Sequence, residues 1–210
     1  MLIGLNFAVF FYQLTLDGRM VEFSYAYGVI PFRFVHMFPR DPGELLTPLS
    51  GMFLHGGWGH LLGNMLYLYI FGNNVEDKLG RGRFLLFYLT CGVLSFLAQI
   101  VFQPNSMVPN VGASGAIAGV LGAYFLLFPR ARILTLVPLF FFFPLVEIPA
   151  FFFLGIWFLM QFLRGAATIG QVSALAGGVA WWAHVGGFLA GMLLVKLLLP
   201  RNAARSTATV

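Results

Sequence analysis

The sequence predicts an all-α membrane protein: a bundle of six transmembrane helices with an interfacial first loop, forming one domain over residues 1–210. Three observations lead there. Hydrophobic residues make up 60% of the chain and charged residues 9%, whereas a soluble domain carries about 25% charged residues. Polar side chains therefore cannot cover a globule of this size, and the mean hydropathy is +0.88. Apolar runs recur at residues 2–16, 49–72, 84–103, 113–128, 148–164 and 177–199, most of them near the roughly 20 residues that cross a hydrocarbon core. Basic residues gather at the ends of those runs, which fits membrane topology; no nucleic-acid partner is expected despite the net charge of +5.

The first run is short and starts at Met1, so a trimmed first helix is expected. No basic stretch precedes it and no small-residue cleavage site follows, so it does not read as a cleaved signal peptide. From Asp17 to about Pro48 the chain mixes Phe23, Tyr25, Tyr27, Phe32, Phe34 and Phe38 with charges and prolines. That is the composition of a lobe half sunk in the outer headgroups, not of a floppy linker. From Leu134 to Pro149, Pro138, Pro144 and Pro149 surround a run of Phe; this stretch is expected to lie irregularly along the inner interface before the fifth span.

Six spans put both termini on one side. With the termini in the cytoplasm, the inner segments hold Lys78, Arg81, Arg83, Arg130, Arg132, Lys196, Arg201 and Arg205. The outer segments hold Arg19, Arg33, Arg40 and Arg164. The positive-inside rule favours this orientation, and a multi-pass protein of a prokaryotic inner membrane is the expected setting. Cys91 is alone, so no internal disulfide forms and the redox compartment is not readable.

Spans two, four and six then all run from outside to inside. Counting back from the inner charges, His60 is 16 residues from Glu76, Ser114 is 16 from Arg130, and His184 is 17 from Arg201. At about 1.5 Å per residue, each lies about 24–26 Å from its anchor. In a core of about 30 Å, that is just below the outer surface. Asn64 sits one turn deeper than His60 on the same face. Small residues repeat every four positions, as Ser114, Ala118 and Gly122 and as Gly115 and Gly119 on span four, and as Ala183, Gly187 and Gly191 on span six. Such stripes let backbones approach closely, in membrane proteins with and without active sites.

Each polar residue has two readings. Ser114 reads as a helix N-cap or as a nucleophile. Its Gly112-Ala113-Ser114-Gly115 setting is not the Gly-x-Ser-x-Gly elbow of soluble hydrolases. His184 reads as a packed histidine or as a proton acceptor, and intramembrane ionisable groups are costly and often functional. His60 and Asn64 read as helix bridges or as site donors. His55, at the head of His55-Gly56-Gly57-Trp58-Gly59-His60, reads as a loop-ordering residue, and His36 has no assigned role. No His-Glu-x-x-His motif or accompanying carboxylate supports a zinc site, so no metal or cofactor is expected. Asp17, Glu22, Asp41, Glu44, Glu76 and Asp77 fall in loops and Glu147 at the edge of span five. An aspartyl dyad and the acid of a Ser-His-Asp triad are both missing, so serine chemistry here would use a dyad.

In combination these motifs resemble the rhomboid intramembrane proteases. The family pattern His-x4-His-x3-Asn reads as His55, His60 and Asn64, and Gly-x-Ser-Gly reads as Gly112 to Gly115. Ala-His-x2-Gly-x3-Gly reads as Ala183, His184, Gly187 and Gly191, and the turn from Glu76 to Phe84 is similar to the family's. The resemblance implies a rhomboid-type bundle whose site opens to the outside. It implies Ser114 as nucleophile, His184 as general base, and His60, Asn64 and the Ser114 N–H as oxyanion stabilisers, with Gly112 shaping the turn. The implied partners are transmembrane protein substrates within the lipid bilayer; the oligomeric state is not readable. Two positions depart from the pattern. Ala118 stands where many relatives carry an aromatic that stacks on the catalytic histidine, and the first loop lacks the Trp-Arg pair of some relatives. The rival functions are a non-catalytic binder of transmembrane helices and a small-solute channel lined by His and Asn.

Overall fold

Ten consecutive residues of one helix, Gly115 to Tyr124, are buried, and the chain is arranged around them. A helix that is apolar all round belongs inside a bundle. The computed structural model describes residues 1–38, 40–137, 141, 143–169 and 178–200, and it is mostly helical. The order is α1 (Leu2–Leu14), α2 (Met20–Tyr27), α3 (Pro31–Met37), a 3-10 turn (Pro42–Leu46), α4 (Thr47–Gly51), α5 (Trp58–Leu79), α6 (Arg81–Phe102) and α7 (Ser114–Leu127). Then follow β1 (Arg132–Leu136), β2 (Leu145–Pro149), α8 (Ala150–Ala167) and α9 (Trp181–Leu198).

The central helix α7 lies between α6 and α9 because glycine opens both of its sides. A Cβ built on Gly115 or Gly119 would strike the side chains of Ser95 and Cys91 on α6. On the other side, a Cβ on Gly122 would strike the carbonyl of Phe188, and a Cβ on Gly187 or Gly191 of α9 would strike the carbonyls of Gly115 and Gly119. The small-residue stripes of the fourth and sixth apolar runs therefore pack against each other. By contrast, α8 buries few of its residues: Ala150, Leu154, Gln161 and Gly165.

By length and apolar composition α6, α8 and α9 can cross a membrane, while α1 and α7 are apolar but shorter. The last turn of the 22-residue α5 carries Glu76, Asp77 and Lys78. Gly80, at φ +78°, then turns the chain directly into α6.

Two segments differ from the sequence expectations. The apolar run 49–72 is not one helix: α4 stops at Gly51, α5 starts at Trp58, and α5 runs on past residue 72 to Leu79. The Gly56-Gly57 pair is poor helix material. The break is also held from α1, where Gln13 Oε1 accepts from the His55 N–H at 3.0 Å and Gln13 Nε2 donates to the His55 carbonyl at 3.3 Å. The described part of the stretch before the fifth span is not irregular, and the chain is not purely α. β1 and β2 pair antiparallel from Arg132 opposite Pro149 to Leu136 opposite Leu145. Pro149 closes the ladder at its end, where its missing N–H costs nothing.

The first lobe, finally, folds into α2, α3 and the 3-10 turn. Arg33 Nε donates to Glu44 at 2.7 Å, and the lobe is tied to the α6–α7 segment by paired bonds between Val29 and Asn110. The start of the last run at residue 177, Pro138, and the charges Arg201 and Arg205 lie outside the described residues.

Candidate active site

Ser114 is the first residue of α7. The segment before it is fixed by backbone bonds: Val29 N–H to the Asn110 carbonyl at 3.0 Å, and Gly112 N–H to the Gly51 carbonyl at 2.8 Å. Gly112 has φ +119°, which L side chains rarely adopt. A Cβ there would also lie 2.7 Å from Cε1 and Nε2 of His60 and 3.5 Å from Nδ2 of Asn64. Conformation and space both call for glycine at this turn.

Across the α7–α9 contact, Ser114 Oγ lies 2.9 Å from Nε2 of His184. The N-cap position of α7 is Ala113, so Ser114 Oγ meets His184 from the first helical residue. Ser114 begins a helix, so its N–H is among those with no partner inside the helix and lies at the positive end of the dipole. Both side chains are half-buried. A hydroxyl within hydrogen-bond reach of an imidazole nitrogen is the arrangement in which a base activates an alcohol.

His60 and Asn64 lie one turn apart on α5. The Gly56 N–H points at His60 Nδ1 at 3.4 Å. An accepting Nδ1 leaves the ring proton on Nε2, the nitrogen nearest Gly112. Asn64 is buried, and its Nδ2 has no hydrogen-bond partner among the described residues. Buried amide donors are normally satisfied, and leaving one free costs about 1–3 kcal/mol. These residues line a cavity of about 290 Å³ with Ser114, Ile117, Ala118 and Leu121 of α7, Trp157 of α8 and His184 of α9. His55 is buried outside this cavity lining, its Nδ1 3.3 Å from the Phe53 carbonyl and its ring edge-on to His60 at 5.1 Å. His36 stays in the first lobe, tilted on Phe32. The structure thus brings together Ser114, His184, His60, Asn64 and Gly112 and leaves His55 and His36 aside.

Amide side chains outside the candidate residues named from the sequence also converge here. Gln161 Oε1 on α8 lies 2.8 Å from His184 Nδ1. Gln99 Oε1 on α6 accepts from the Ala183 N–H at 3.2 Å, directly before His184. Gln99 Nε2 donates to Gln103, which donates to Thr168 at the end of α8. The available signal was simple: each amide interrupts an apolar run, where an unsatisfied polar group is expensive. Ala118, fully buried, packs toward Gly187. The aromatic nearest the imidazole is instead Trp157, with ring centroids 5.9 Å apart, and Trp181 stands edge-on at 6.4 Å.

A family model described as the Rhomboid domain matches residues 42–201. The chain is 49% identical over 80 residues to rhomboid protease GluP of Bacillus subtilis, covering 38% of this chain and 15% of that protein. It is 30% identical over 198 residues to the mitochondrial rhomboid protein 1 of Saccharomyces cerevisiae, covering 91% of this chain and 50% of that protein. It is also similar to inactive rhomboid protein 2 of Homo sapiens, 26% identical over 188 residues, which are 90% of this chain and 19% of that protein. The chain spans half the length or less of these relatives.

Proposed function

The chain belongs to the rhomboid family, and from that premise we propose that it is an intramembrane serine endopeptidase cutting transmembrane segments of other proteins near the outer membrane face with a Ser114–His184 dyad. The observation that carries this reading is the 2.9 Å contact of Ser114 Oγ with His184 Nε2, beside a buried Asn64 amide that has no partner.

Nε2 takes the Ser114 proton as Oγ attacks the peptide carbonyl carbon, and the carbonyl oxygen becomes an oxyanion. Asn64 Nδ2, His60 Nε2–H and the Ser114 N–H are the donors for that charge, and Gly112 keeps the space between them open. The imidazolium returns its proton to the leaving amine as the C–N bond breaks. Water then attacks the acyl-enzyme carbonyl, losing a proton to Nε2; the bond from the acyl carbon to Ser114 Oγ breaks, Oγ takes that proton back, and the carboxylic acid product leaves. Hydrolysis needs water, so the cavity must connect to the outer aqueous phase. The length of α7 supports this: its 14 residues extend about 21 Å, short of a hydrocarbon core of about 30 Å. The non-helical segment before Ser114 then lies at membrane depth, where irregular backbone is tolerated if buried in protein or lining a wet cavity. A substrate helix must unwind locally to expose a carbonyl, so small or helix-breaking residues near the cut are favoured. The excess of basic residues in the inner segments supports cytoplasmic termini, and a prokaryotic inner membrane is the proposed setting.

A fluorophosphonate probe tests the dyad directly. It is expected to label Ser114 in detergent-solubilised protein and to lose that label in His184→Ala; mass spectrometry finding the adduct on another residue would sink the assignment. Because an inactive human relative also matches, this measurement, and not family membership, decides activity. Asn64→Ala tests the oxyanion role. Losing one such donor costs about 10²–10³ in rate. The Nδ2 group has no bond to lose in the resting fold, so the thermal midpoint is expected to stay nearly fixed. Parallel losses of rate and stability would make Asn64 a helix bridge instead.

A further inference from the structure

For Ser114 Oγ–H to donate to Nε2, that nitrogen must be bare, and the neutral ring must then carry its proton on Nδ1. Nδ1 lies 2.8 Å from the side-chain oxygen of Gln161. Gln161 is 7% exposed, on α8. One turn before it on the same face, Trp157 lies tilted against the His184 ring. Ala118, which lines the same cavity, has only a methyl group and supplies no ring for the imidazole to stack on. We propose that Gln161 is the positioning residue of this active site: its amide oxygen accepts Nδ1–H and, with Trp157 against the ring, holds His184 in the tautomer that receives the Ser114 proton. The proposal rests on the serine-protease reading above and deepens it from a dyad to a Ser-His-Gln arrangement spread over α7, α9 and α8.

An amide suits the setting. A carboxylate would hold the imidazolium more strongly, but a charge at this depth is costly to bury. The amide oxygen supplies an acceptor without net charge, and its bond to Nδ1–H becomes charge-assisted when the ring is protonated during turnover. Gln161 therefore acts on the rate through His184 and touches no substrate atom.

The alternative is that Gln161 merely bridges α8 and α9. Two variants separate the roles. Gln161→Met keeps the length of the side chain and removes the strong acceptor; Gln161→Glu keeps the acceptor and buries an acid. On a reporter transmembrane substrate, Gln161→Met is expected to lower kcat about 10–100-fold, the usual cost of losing a group that orients a reactive side chain. KM should change less than about twofold, as for an interaction that acts in the transition state. Gln161→Glu is expected to turn over faster than Gln161→Met although it melts lower. Activity that follows thermal stability, or a Gln161→Met kcat equal to wild type, would overturn the proposal. Should neither variant fold, the ¹⁵N spectrum of His184 in the wild-type protein decides: Nδ1 protonated with Nε2 bare is expected, and the reverse tautomer overturns the proposal. Wild-type protein that neither cleaves nor takes the fluorophosphonate would remove the protease reading itself. An active wild type with an unaffected Gln161→Met removes the role of Gln161 alone.

Discussion

Ser114→Ala is expected to abolish cleavage while the protein still folds and keeps nearly its wild-type thermal midpoint. The structural loss is small. The hydroxyl makes one bond, to His184, and one ordinary hydrogen bond is worth about 1 kcal/mol net. The N-cap position of α7 is Ala113, so the variant removes no N-cap side chain. The kinetic loss is of another order, because removing a serine nucleophile costs about 10⁶ in kcat in a soluble protease. A reporter transmembrane substrate incubated with each protein should give two fragments on a gel with wild type and one uncut band with the variant. His184→Ala should match it, and the double variant should be no worse, since the two groups act as a unit. Turnover at the wild-type rate in Ser114→Ala would reject the assignment. The same variant reaches biology: membrane proteins cut in a wild-type strain and intact in a Ser114→Ala strain are the candidate substrates.

The polar members of this neighbourhood were legible because each is costly where the sequence puts it. Ser114, His60 and His184 break apolar runs at matching distances from inner charges, and Asn64 lies one turn deeper than His60. One of those charges, Arg201, lies outside the described residues. What was not legible is which side chains meet across helices. Gln161 and His184 are 23 residues apart, on different elements, and neither run states which face its polar residue presents to the other. Likewise Gln13 reaches the His55 backbone across 42 residues, and only the fold reveals that this amide holds the break in the second apolar run. The hairpin was hidden for a different reason. Its strands are five residues each, short of a convincing alternation, and the prolines around them read equally well as irregular chain. The short helices of the first lobe, at eight and seven residues, are below the length at which helical periodicity becomes readable.

Gly191→Val is expected to separate α7 from α9 and to destroy folding and labelling together. A Cβ on Gly191 would fall on the carbonyl oxygen and carbon of Gly119, and the same relation holds for Gly187 over Gly115 and for Gly122 over Phe188. In each case the obstacle is backbone, which cannot rotate away as a side chain would. Overpacking a core by extra methylenes costs about 1–3 kcal/mol when side chains can shift, so displacing a helix axis should exceed that range. The contact also fixes the chemistry: Ser114 and His184 sit on these two helices, and a displacement of about 1 Å would carry a 2.9 Å contact beyond hydrogen-bond reach. A matched control is available on α6, where a Cβ on Gly82 would meet no atom within 4 Å. Gly82→Ala should be neutral or stabilising by up to about 1 kcal/mol, through lower entropy of the unfolded chain. The two variants are compared by thermal melting in detergent and by fluorophosphonate labelling. If Gly191→Val melts and labels like wild type, the two helices do not approach through their glycines and the reach from Ser114 to His184 must be set elsewhere; if it fails while Gly82→Ala does not, backbone contact between α7 and α9 is what holds nucleophile and base together.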